Sequence, residues 1–75
     1  MNQERRVQLF KAKGMIINAI DVLKDISNKE EIAFDNLSEG LQQTMRGQQM
    51  EDNIDNFNDA INGLKDMVDL LDNII

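Results

Sequence analysis

The C-terminal part of the chain keeps strict hydrophobic time. Ile54, Ile61, Val68 and Ile75 recur every seven residues, Phe57, Leu64 and Leu71 follow the first three of them by three, and Met50 continues the series backward. This is the a/d pattern of a helix buried along one edge. It predicts a helix over about residues 47–74, roughly 45 Å long at 1.5 Å per residue. Ala60, Met67 and Ile74 hold the g positions, so the apolar surface is wider than a two-stranded seam and resembles the face of a bundle helix.

The N-terminal part repeats the theme with less order. Leu9, Ile16 and Leu23 form one seven-spaced row, and Ala12, Ala19, Ile26 and Ala33 form a second row three residues on. Small residues in one helix facing large ones in another allow close approach, with about 8–10 Å between axes. Met15, Ile20, Val22 and Phe34 flank these rows. Ser27 to Glu30 fits the Ser-x-x-Glu box that opens helices, so a break at Ser27 is conceivable. Against it, no Gly or Pro interrupts the stretch and Ile26, Ala33 and Leu37 stay in phase. One helix over about residues 3–35 is expected. The words "NAIDVLKDI" (18–26) and "DAINGLKDM" (59–67) echo each other, as amphipathic helices sharing a core do without any duplication.

Between the helices, over about residues 36–46, lie Asn36, Ser38, Gly40 and Gly47 at or near the ends of the stretch, which are turn and cap residues. Phe34, Leu37, Leu41 and Met45 nevertheless recur at helical spacing. A connector that is partly helical explains this, with those four residues plugging the end of a hairpin. A flexible polar linker would not require them. Arg46 is placed to reach Asp35 or Glu39, or alternatively to meet a ligand.

Composition narrows the class. The 75 residues include no Pro, Cys, His, Trp or Tyr, and no segment alternates with period two, so the fold class expected is all-α. The arrangement expected is one domain, 1–75: an antiparallel helical hairpin with a short helical connector, assembling into a four-helix bundle. The predicted hairpin core is Leu9, Ile16, Leu23, Ile26, Phe34, Leu37, Ile54, Phe57, Ile61, Leu64, Val68 and Leu71. A chain this short buries a small fraction of its surface, and with neither Cys nor His it lacks disulfide and ordinary zinc staples. Self-association is the remaining staple, through Met15, Val22, Ala60, Met67 and Ile74. The partner expected is therefore a second copy of the chain, as a homodimer.

Charge is unevenly spread. The net charge is −6; residues 1–13 carry Arg5, Arg6, Lys11 and Lys13 against Glu4, whereas residues 46–75 carry seven acids against Arg46 and Lys65. Antiparallel helices would bring the basic N-terminal stretch near Asp66, Asp69 and Asp72. Direct nucleic-acid binding is not expected of so acidic a chain. The chain begins with Met and has no signal-peptide core and no run of 18 apolar residues, which reads as a cytoplasmic protein without membrane attachment.

The run "EEIAFDNLSEGLQQTMRGQQMEDNID" (30–55), followed by an amphipathic acidic helix, resembles a widespread family of small uncharacterised helical proteins of bacteria and their phages. The features that carry the resemblance are acids before Phe34-Asp35-Asn36-Leu37, then Glu39, Leu41-Gln42, Arg46-Gly47 and Met50-Glu51. Relatives of that type commonly have Pro where Ser38 stands and an acid where Gln48 stands, and are richer in Glu. The resemblance spans roughly residues 15–72 and implies a helical hairpin. It implies no activity.

Catalytic chemistry has few candidates. Without His, Cys or Tyr, the groups left are carboxylates, five Lys, Ser27, Ser38 and Thr44, and none has a partner at a spacing that makes a catalytic unit. A di-metal bundle needs Glu-x-x-His. "EDNIDNFND" (51–59) lacks the alternating acids and sixth-position Gly of a calcium loop, and no phosphate-binding glycine loop is present. No enzyme activity, cofactor or metal is expected. Asp52, Asp55, Asp59, Asp66 and Asp69 fall outside the apolar face and form an acidic stripe. That stripe is either a solvated face or a surface for a protein partner with a basic groove, in the manner of a phage-type inhibitor of a nucleic-acid-handling or defence protein.

Overall fold

The computed structural model describes residues 1–75. Three helices follow one another: α1 (Gln3–Asp35), α2 (Glu39–Gln42) and α3 (Met45–Ile74). α1 and α3 pack along each other as an antiparallel hairpin, and α2 is the single turn that joins them. Each start has a side-chain cap: Asn2 accepts from the Arg5 N–H at 2.8 Å, Ser38 from Leu41 N–H at 3.3 Å, and Thr44 from Gly47 N–H at 3.4 Å. These caps satisfy donors that have no partner inside the helix. α1 runs unbroken through Ser27.

The hairpin is a rod 58 Å long and 15 by 12 Å across. Two helices share one seam, so only Ile20 (7 % exposed) and Ile61 (5 %) are fully buried apolar residues. On α3 the seam is Gly47, Met50, Ile54, Phe57, Ile61, Leu64, Val68 and Leu71, all buried or half-buried. Ile75, the last residue of the a row, lies past the helix end and is exposed.

On α1 the seam differs from the expectation. Leu9, Ile16 and Leu23 lie in it, but their companions are Lys13, Ile20, Ser27 and Phe34, four residues on rather than three, together with Glu30 and Leu37. Ile26 is corrected: it is 39 % exposed, and Ala12, Ala19 and Ala33 are exposed with it. The reason is volume. The row carrying Ile20 and Phe34 fills more space against α3 than one of three alanines and one isoleucine, and polar members of that row find local solutions. Lys13 runs its aliphatic stem along the seam and places its ammonium 2.5 Å from the Asp72 carboxylate. Ser27 is small, and on the register set by Lys13–Asp72 it stands level with residue 58, next to Phe57.

Two further expectations fail. Leu41 and Met45 do not plug the hairpin end; Met45 is 89 % exposed and Leu41 is also open. Of the basic N-terminal residues only Lys13 pairs with an acid of α3; Arg5, Arg6 and Lys11 make no ion pair. No helix is long and apolar enough to cross a membrane.

Candidate functional site

The closed end of the hairpin is held by Gln42. Its Nε2 donates to the main-chain oxygens of Phe34 and Leu37, both at 3.2 Å. Helices leave their last carbonyls unpaired, and many solve this with a left-handed glycine. Here no residue has positive φ, and a side-chain amide from α2 satisfies these carbonyls instead. Thr44 completes the corner, its hydroxyl donating to the Leu41 oxygen at 2.5 Å while accepting from Gly47 N–H. Gly47 is required because α2 passes directly over it. A Cβ there would lie 2.7 Å from Gln42 Cα and carbonyl carbon, and nearer still to its oxygen. Phe34 and Leu37 are half-buried beneath this corner. Arg46 takes no part in it: it forms no ion pair with Asp35 or Glu39, and borders a groove on the flank of α3 beside Met45, Gln49 and Asp52.

A second apolar surface lies on one side of the open end. On α1, Ala12, Met15, Ala19, Val22 and Ile26 follow at alternating steps of three and four, one position round the helix from the seam. On α3, Ala60, Gly63, Met67, Leu70 and Ile74 do the same. Both stripes occupy the g and c positions of their helices, and in an antiparallel pair g flanks g, so the two stripes share one side of the hairpin. On the Lys13–Asp72 register, residues 60–74 stand level with residues 11–25. Met15, Val22, Met67, Leu70 and Ile74 are each between 51 and 63 % exposed. The pattern in the sequence pointed to Met15, Val22, Ala60, Met67 and Ile74; Leu70 and Gly63 become visible only once the seam phase is known.

The acidic stripe occupies the outer side of α3. Asp52, Asp55, Asp59, Asp66 and Asp69 are all exposed and none is in an ion pair. Successive members are three, four or seven residues apart, about 5 or 10 Å along the axis. The other ion pair, Lys29 with Asp25 at 2.8 Å, links one turn of α1 to the next. The hydrogen bond from Asp25 and its negative charge hold the Lys29 ammonium above the usual lysine pKa. No cluster of His, Cys, Asp or Glu is arranged to hold a metal ion.

No protein-family model, curated protein or solved structure matches this chain.

Proposed function

We propose that this is a non-enzymatic interaction protein, a helical hairpin that self-associates as a homodimer and turns its acidic exterior toward a protein partner. The observation that carries this reading is the second apolar surface, Ala12, Met15, Ala19 and Val22 beside Ala60, Gly63, Met67, Leu70 and Ile74. Contiguous apolar surface of this kind marks interaction sites in soluble proteins, and two hairpins docked on it make a four-helix bundle. A rod with one thin seam gains from covering it. The test is sedimentation from micromolar to millimolar protein. A concentration-dependent dimer supports the reading, and a folded monomer throughout defeats it.

A second reading is favoured by the acidic stripe. Unpaired carboxylates at about 5–10 Å intervals on a rigid rod have the spacing and sign to enter a basic groove built for nucleic-acid phosphates. On that reading the protein inhibits a nucleic-acid-handling or defence protein, as the resemblance to phage proteins would suit. Capture of such a protein, lost with added salt and lost again when Asp59 and Asp66 are changed to Asn, supports it. Capture unaffected by both removes it.

A further inference from the structure

We infer that the apolar side of the open end receives a second copy of the chain about a twofold axis across the rod, so that the two hairpins lie head to tail with their connectors at opposite ends. This rests on the self-association proposed above and adds its geometry. Closed dimers use the same patch on both copies, so a twofold must pair each stripe either with itself, reversed, or with the other stripe. The order of small and large residues separates the two arrangements.

With the connectors at opposite ends, α1 runs antiparallel to α1 of the partner. The layers are then Ala12 on Val22 and Met15 on Ala19, each made twice, so every layer joins a small residue to a large one. α3 against its own copy behaves alike: Ala60 meets Leu70 and Gly63 meets Met67. With the connectors at the same end, α1 would instead lie on α3 of the partner. Met15 would meet Met67 and Ala19 would meet Gly63, crowding one layer and emptying the next, and both faults destabilise a core. The stripes are complementary to themselves and not to each other.

Charge points the same way. In the head-to-tail arrangement the rim of the α1 contact sets Lys11 against Asp25 of the other copy, twice, and sets one like-charge pair, Asp66 with its own symmetry mate, on the α3 rim. With connectors together, Asp25 would face Asp59 twice and Lys11 would face only Asn73. The self-pairing centres are residue 17 on α1 and residue 65 on α3. The Lys13–Asp72 register puts them within one helical turn of level, so a single axis serves both.

The absence of cysteine in the natural chain makes the test direct. Asn18→Cys lies on the rim beside the inferred axis, and Gly40→Cys lies in α2, where nothing stands within 4 Å of an added Cβ. Each variant carries a nitroxide, and pulsed electron resonance reads the distance between copies under conditions where sedimentation gives a dimer. The expected distances are about 20 Å or less for the residue-18 labels and about 60 Å for the residue-40 labels. Residue-40 labels within about 20 Å of each other would overturn the head-to-tail geometry while leaving self-association standing. A monomer at every concentration would remove both. Lys11 and Asp25 are 14 residues apart on one helix, about 21 Å, so they couple only across copies. Lys11→Asp should weaken the dimer about fivefold and Asp25→Lys in the same chain should restore it; no restoration counts against the geometry.

Discussion

Gly47 lies so close beneath the main chain of Gln42 that a single methyl group at residue 47 has no space. The atoms it would meet are backbone, which cannot swing aside as a side chain can. Gly47→Ala should therefore lift α2 off α3 and cost about 1–3 kcal/mol, comparable with an overpacked core. Urea denaturation at fixed protein concentration measures it. An unchanged midpoint would mean that the corner yields freely.

Gly14 gives the opposite expectation. It sits inside α1 with nothing within 4 Å of an added Cβ, so Gly14→Ala should stabilise the hairpin by about 1 kcal/mol through helix propensity and a less flexible unfolded chain. The two glycine variants, measured side by side, separate a steric requirement from a propensity cost. Equal signs would refute the distinction.

The amide of Gln42 is expected to matter more than its size. Gln42→Ala removes both bonds to the end of α1 and should cost about 1–2 kcal/mol. Gln42→Glu keeps the shape but points an ionised acceptor at two carbonyl oxygens, and should cost at least as much at neutral pH while recovering in acid. Hydrogen exchange of the α2 amides reports whether the corner opens. A Glu variant as stable as the native chain would show that the donor is dispensable.

Phe34 is half-buried at the closed end, so Phe34→Ala should cost about 2 kcal/mol, less than the roughly 3–5 kcal/mol of a fully enclosed ring. Thermal melting checks this. No change in melting would free the ring from any structural part.

Ile61 and Met67 should respond differently to a charge. Ile61→Asp puts a carboxylate at the centre of the seam and should unfold the chain, whereas Met67→Asp should leave helicity intact at high concentration and weaken the dimer at least tenfold. Circular dichroism and sedimentation on the same samples distinguish them. Identical behaviour of the two variants would place both in one core.

Much of the fold is legible in the residues themselves. The heptads of α3 offer only one broad apolar face, so Met50, Ile54, Phe57, Ile61, Leu64, Val68 and Leu71 could be assigned before any partner was known, as could an all-helical chain folded back at residues 36–44. α1 is different. Its row of Leu9, Ile16 and Leu23 belongs equally to a seam completed three residues on and to one completed four on, and local periodicity favours the first because Ala12, Ala19, Ile26 and Ala33 are uniformly apolar. Only packing against α3 selects the second, where Ile20 and Phe34 supply volume and Lys13 reaches Asp72. The corner was equally hidden. Leu41 and Met45 had the spacing of plugs and are exposed, while Gln42, polar and unremarked, supplies the hydrogen bonds, because a bond from a side chain to carbonyls five and eight residues earlier leaves no periodic mark. Periodicity reports which way a helix faces when it has one apolar side; when two sides compete, the shape of the neighbouring helix decides.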